Sequence, residues 1–290
     1  MLLSEKLFLS NSFSIVLNMD EKESSSKTIE KITNRINYKV IAIIVALTIG
    51  DLIYGLYFFD GSNFDIKDGW YMAGIFGVGV ASILVAKKYH GSEMLGKAYL
   101  FLGLGFFAWF IADVGYYYQQ FVLDIDPWPS PFDIGFFVSY VFTILHLGLN
   151  TRYFRPKWSK EMKAVLIVIP IVAVGGFTAI AYNSWGEYVG EDDYTQDDLV
   201  FDIGYTNLFI VGIAITLAFA VVGASVFRHS VLKETWLLLA IGICLWAATD
   251  SVYFYLETIE EFTHNHPINS GWTAAFMVII YALYKHTKTL

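Results

Sequence analysis

Charge is what this chain has least of. Asp, Glu, Lys and Arg make up 16% of its 290 residues, against 56% hydrophobic and 18% aromatic, whereas an ordinary soluble domain is about a quarter charged. The shortage excludes a freestanding soluble domain and points to a chain dissolved in lipid. Cysteine is nearly missing as well. Cys244 stands alone, so no intrachain disulfide can form and the redox compartment cannot be read; the residue reads as small packing. No lysine occupies the middle of an apolar segment, where a retinal Schiff base would need one. No serine, cysteine or histidine triad and no metalloprotease motif is present. The chain therefore reads as a non-enzyme. Nor does it have the basic, aromatic-interleaved surface that nucleic acid requires.

What it does have is apolar length. A membrane-spanning helix needs about 20 mostly apolar residues, and eight stretches qualify: 39–59, 69–87, 97–121, 131–150, 162–182, 199–227, 234–256 and 270–286. The expected fold class is all-α, a polytopic membrane helical bundle with eight transmembrane helices in contact with a lipid bilayer. Lys and Arg in short loops are retained on the cytoplasmic side, and all 19 of them except Lys67 fall on one side of this arrangement. The N and C termini are thus expected in the cytoplasm, with the protein in the cell membrane. Nineteen of the 27 acids lie on or toward the opposite, outer face. That follows either from the exclusion of Lys and Arg from that face or from a surface that attracts cations. Residues 1–36 read as a cytoplasmic, largely disordered tail. The opening MLLSEKLFLSNSFSIVLN has no convincing signal cleavage site, and Met19 is an alternative start.

An internal repeat runs through the spans. Gly105, Trp109, Asp113 and Tyr116 recur with identical spacing as Gly242, Trp246, Asp250 and Tyr253, each set followed by an acidic loop and a proline, Pro131 or Pro267. A shorter unit, Asp-x-x-aromatic, appears as Asp51–Tyr54, Asp68–Tyr71, Asp133–Phe136 and Asp202–Tyr205, with Asn269-x-x-Trp272 as a decayed copy. The chain reads as a four-span half used twice, about 37–155 and 160–290, or as a hairpin used four times. An even number of spans per half makes the halves parallel.

The acids divide by position on their helices. Asp68, Asp133 and Asp202 open helices that enter from outside, where a carboxylate satisfies free amides and the positive dipole end. In PSPFDIGFF, Ser130 is the expected N-cap, Pro131 the first helical residue, and Asp133 the third after the cap. These residues read as helix caps. Asp51, Asp113 and Asp250 lie in the C-terminal halves of outgoing helices, where the dipole opposes them. Residues three apart share a helix face, so Tyr54, Tyr116 and Tyr253 stand beside these acids, and Trp109 and Trp246 lie one turn before two of them. At 1.5 Å per residue, Asp113 is about 24 Å from Lys97, near the outer edge of the hydrocarbon, and Asp51 is about 18 Å from Lys39. Ionisable groups in spans are functional candidates by default, and two readings stay open: a ligand site, or a polar network that fixes helix register. Tyr57, Tyr117, Tyr118 and Tyr255 read as an interfacial aromatic belt.

Weaker constellations remain. His264 and His266 with Glu260 and Glu261, in EEFTHNHP, could hold a transition metal. GEDDYTQDD has the composition of a calcium loop without its order. His146 reads as hydrogen-bonded packing. Gly50, Gly55, Gly74, Gly77, Gly103, Gly105, Gly175 and Gly176 suit close helix approach.

The stretch from Trp109 and Asp113 into DPWPSPFDIGFFVSY resembles the multi-span membrane region at the amino terminus of many prokaryotic diguanylate cyclases and sensor histidine kinases. There, a W-x-x-x-D helix end is followed by a loop ending in P-S-x-A-D. The matching residues are Trp109, Asp113, Pro129, Ser130 and Asp133, with Phe132 where alanine is common. The resemblance implies an environmental sensor. No kinase or cyclase domain follows the eighth span, so any signal is expected to pass to a separate membrane or signalling protein. The residues themselves leave three functions open: a sensor or accessory subunit with an acidic extracytoplasmic site, a cation- or proton-coupled transporter titrating on Asp51, Asp113 and Asp250, and a structural membrane scaffold.

Overall fold

The computed structural model describes residues 36–58, 64–89, 91–125, 127–155, 157–190, 194–227, 233–259, 261–263 and 266–289. The expected tail, up to residue 35, lies outside them. Among the described residues the chain is helical, without strands. The long helices are α1 (Tyr38–Tyr57), α2 (Ile66–Lys88), α3 (Glu93–Tyr117), α4 (Asp133–Phe154), α5 (Lys160–Trp185), α6 (Gln196–Phe227), α7 (Lys233–Thr258) and α8 (Asn269–Thr289). A π turn, Tyr118–Val122, extends α3.

Short polar side chains set where several of these helices begin. Asn37 accepts from the Lys39 amide before α1, at 3.0 Å. Asp65 and Asp68 form a reciprocal capping box at α2, and Ser159 caps α5 through the Met162 amide. Each satisfies an amide that the first turn leaves without a partner. At α4 the helix starts at Asp133 with Phe132 in the N-cap position, two residues later than expected from Ser130 and Pro131, because the chain first makes a turn in which the Ser130 Oγ accepts from the Phe132 amide at 3.2 Å and Asp133 accepts from the Ser130 amide at 2.7 Å. At α6 the expectation fails. The helix begins at Gln196, three residues earlier than the apolar run, because Thr195 and Asp198 cap each other's backbone amides. Asp202 therefore sits in the second turn, too far in to cap, and accepts the Tyr194 hydroxyl at 2.8 Å instead.

Helices α1 to α7 are long and apolar enough to cross a membrane, and α8 is not among them. The reason lies in the packing. α8 is covered by α1, α2 and α7, and its polar side chains Ser270, Thr273, Lys285 and His286 are all buried against protein. A helix sheltered in this way has no need of an apolar sequence all round. At the other extreme, α1 and α5 keep wide apolar faces exposed, Ile43, Ile49 and Ile53 on one, Ile167, Ile171 and Val172 on the other. These faces suit hydrocarbon.

Six helices close a ring. α2 packs on α3, α3 on α4, α4 on α6, α6 on α7, α7 on α8, and α8 back on α2, while α1 rests outside on α8 and α5 outside on α6. Among the six ring helices the same pattern of neighbours thus occurs in both halves of the chain, while the outer helices differ, α1 lying mainly on a helix of the other half and α5 on one of its own. Between helices in lipid, dispersion and close backbone approach carry the packing. A Cβ on Gly135 would stand 2.7 Å from the Ala108 carbonyl oxygen, and one on Gly103 would stand 3.1 Å from that of Gly79. Gly50, Gly175 and Gly176 meet nothing within 4 Å. Those three are not contact points, contrary to the sequence expectation, because they lie on the peripheral helices α1 and α5. At the ring's centre Phe106, Trp109, Trp246 and Phe276 pack together, with the Trp109 and Trp246 rings 4.7 Å apart. All four are at most 5% exposed.

Candidate functional site: an acidic, aromatic-walled pocket

Above that aromatic layer, at one end of the bundle, lies a cavity of about 190 Å³. The starts of α2, α4 and α8 and the ends of α3 and α7 converge there, because each helix carries its acid-aromatic unit at this end. Asp113 and Asp250 both line the cavity, and Asp113 lies in the field of Asp250. Trp109, Tyr116 and Tyr253 line it too. Trp246 lies just below, its ring parallel to that of Tyr140 at 5.5 Å.

The two acids are supplied differently. Asp250 accepts the Tyr140 hydroxyl on Oδ2 at 2.9 Å and the Trp272 indole on Oδ1 at 2.6 Å. Tyr71 and Trp109 stand alongside Asp113, yet its Oδ2 is buried with no hydrogen-bond partner among the described residues. A buried polar atom of that kind is costly unless something answers it.

A third acid of the pocket, Asp68, accepts the Asp65 amide and the Tyr117 hydroxyl, both at 3.0 Å. Beside the pocket, Asp133 accepts three donors: the hydroxyls of Tyr116 and Tyr205, the latter at 2.6 Å, and the Ser130 amide at 2.7 Å. Capping is therefore only part of what Asp68 and Asp133 do. Each also holds a tyrosine from another helix. Tyr117 is correspondingly a wall of the pocket rather than a member of the interfacial belt, since its hydroxyl is tied inward to Asp68. Tyr57, Tyr118 and Tyr255 are exposed.

Asp51 and Tyr54 do not join Asp113 and Asp250, because α1 sits outside the ring. The Tyr54 hydroxyl donates to Asp65 at 2.9 Å. Asp51 faces Lys67, the one basic residue of this end, whose ammonium lies over Gly55 in the fields of Asp51 and Asp68. Lys67 is only 6% exposed and also borders the pocket. Of the expected metal ligands, Glu260 and His264 lie outside the described residues. His266 Nδ1 accepts the Ile268 amide at 3.2 Å ahead of α8. No group of three or more His, Cys, Asp or Glu side chains suited to a metal occurs among the described residues.

Sequence reasoning missed Tyr140 and Trp272 as donors to Asp250. Trp272 carried a signal, the decayed Asn269-x-x-Trp272 unit. Tyr140 carried none, since it lies two turns into α4 and reaches Asp250 only through the ring's closure. A second buried polar group lies at the opposite end, where His146 is hydrogen-bonded packing as expected and His286 was not foreseen. His146 Nδ1 lies 3.0 Å from the Ala98 carbonyl, Asn150 donates to the His146 carbonyl at 2.9 Å, and the Tyr89 hydroxyl meets His286 Nε2 at 2.8 Å. The Tyr99 ring stands between the two imidazoles, at 4.7 and 5.0 Å.

No family model matches this chain, and neither do the curated proteins or the solved structures.

Proposed function

We propose that this chain is a non-enzymatic membrane protein that binds a small ligand from the extracytoplasmic side, in the pocket between Asp113 and Asp250. In this reading it acts as a sensor module or as the ligand-binding subunit of a larger membrane complex. The observation that carries the reading is the cavity, walled by rings and edged by two acids from the two halves, with one carboxyl oxygen left without a partner among the described residues. The positive-inside distribution of Lys and Arg puts this end outside. The resemblance of residues 105–145 to sensor membrane regions points the same way, with the signal passing to a separate protein.

The buried layer of Phe106, Trp109, Trp246 and Phe276 favours binding over transport. It closes the pocket's floor, whereas carriers place their sites near the midplane on broken helices. A library of molecules below about ten heavy atoms, balanced among cations, zwitterions, anions and neutrals, should contain compounds that raise the melting midpoint of the full chain in nanodiscs. The Asp113→Asn/Asp250→Asn variant should fold and lose that response. A library without such compounds, or responses unchanged in the double variant, would overturn the reading.

A further inference from the structure

We propose that the ligand of this pocket is a small monovalent organic ammonium, its charge set against the incompletely paired carboxylate of Asp113 and its alkyl groups against the surrounding rings. This rests on the ligand-binding reading and gives it a chemical class.

Three observations carry it. The first is the donor inventory. Twelve of the nineteen residues that line the pocket are aromatic, but the hydroxyls of Tyr116, Tyr117 and Tyr140 already donate to Asp133, Asp68 and Asp250, and the Trp272 indole to Asp250. What these four side chains offer a ligand is ring faces, which attract a cation through their quadrupoles, their donors being engaged by acids. The second is charge. Asp68, Asp113 and Asp250 line the pocket with Lys67 as the one Lys or Arg among the lining residues, and Lys67 lies in the fields of Asp51 on α1 and of Asp68.

The third observation is a broken symmetry, and it singles out Asp113. On the register that aligns Pro131 with Pro267, Tyr140 corresponds to Phe276 and Trp272 to Phe136. Both donors that satisfy Asp250 are therefore phenylalanines around Asp113. The rings keep their places, with Phe276 and Phe136 packed on Trp109 at 5.4 and 6.4 Å; Tyr71 and Trp109 are the hydrogen-bonding neighbours of Asp113 instead. Asp113 is 8% exposed and lines the cavity, and its Oδ2 is buried without a hydrogen-bond partner among the described residues. The same fold thus shows an acid with a donor on each oxygen at this position, whereas Asp113 has one oxygen without a donor.

Size narrows the class. A cavity of about 150 Å³ admits benzene, so about 190 Å³ suits a ligand of roughly six to eight heavy atoms. Drug-sized ligands need about 300 Å³ or more.

The test uses the full chain in nanodiscs with choline and n-butylammonium as cationic probes, 3,3-dimethylbutanol as the neutral isostere of choline, and 3,3-dimethylbutanoate as the anion. Quenching of tryptophan emission, to which Trp109 and Trp272 contribute from the pocket wall, reports binding. Saturable binding of at least one cation is expected, at least tenfold tighter than the isostere, with no response to the anion. Asp113→Asn should weaken the cation at least tenfold while its circular dichroism and melting midpoint stay within those of the wild type. Phe276→Tyr, which gives Asp113 the donor that Tyr140 gives Asp250, should also weaken the cation without loss of fold. The isostere binding as tightly as choline, Asp113→Asn leaving cation affinity unchanged, or neither cation binding would each overturn the proposal. Anionic or neutral library compounds that depend on both aspartates would overturn it while leaving the ligand-binding reading intact.

Discussion

Asp133 offers the sharpest test of how this bundle is held together. Its carboxylate is 1% exposed and gathers a hydroxyl from α3, a hydroxyl from α6 and the amide of Ser130. The Tyr205 bond joins the two halves of the chain, so it is the one to perturb. In water a hydrogen bond to a charged group contributes about 1.5–3 kcal/mol. Between membrane helices the measured values average about 0.6 and reach about 1.7 kcal/mol, because the unfolded chain in lipid finds other partners. Asp133 is buried and fully supplied, so Tyr205→Phe should cost close to that upper value, about 1–2 kcal/mol. Asp133→Ala strands two hydroxyls and an amide and should cost about 3–4 kcal/mol. In Asp133→Ala the further change of Tyr205 to Phe should cost nearly nothing, giving a coupling energy of about 1 kcal/mol or more. Reversible unfolding in mixed micelles, followed by helical circular dichroism, would measure all four corners of the cycle. A Tyr205→Phe cost below about 0.3 kcal/mol with no coupling to Asp133 would refute the view that these acids fasten helices across the halves.

Three further outcomes are expected. Gly135→Ala should lower stability by about 1–3 kcal/mol, since its methyl meets the Ala108 carbonyl and Ala112 and overpacking costs that much. Gly175→Ala, with open space around it, should be neutral or stabilising by up to about 1 kcal/mol, and the same unfolding assay compares the two. Lys67→Met should destabilise by less than the about 3–5 kcal/mol of a fully buried broken pair, because Asp51 is only half-buried, and adding Asp51→Asn should restore part of the loss. In a Cys244→Ala background, an impermeant maleimide applied to intact cells should label Gly190→Cys and spare Lys157→Cys until the membrane is opened. Equal labelling of both would reverse the sidedness assigned to the pocket.

The sequence made the helices legible because lipid imposes a single long-wavelength rule, about 20 apolar residues per crossing, which local noise cannot obscure. The one long helix that departs from it, α8, is the one covered by three others. Asp113, Asp250, Trp109, Tyr116 and Tyr253 could be grouped in advance because an exact repeat placed them at equal depth on equivalent helices. Asp51 looked like a third member by the same rule of spacing, but depth along a helix says nothing about whether that helix is inside the ring. Asp202 misled for a different reason. Hydropathy marks where a helix becomes apolar, and Thr195 with Asp198 starts α6 before that point. The donors to Asp250 were out of reach of any local pattern, since Tyr140 and Asp250 meet only through tertiary closure.

The duplicated plan, joined into a single polypeptide, permits something that two identical copies of one half could not encode. In a homodimer every change to the surroundings of one central acid would be made to the other as well, so both would be saturated or both left reactive. Covalent linkage lets the twin positions drift apart, one becoming a fixed structural anchor while its counterpart stays available.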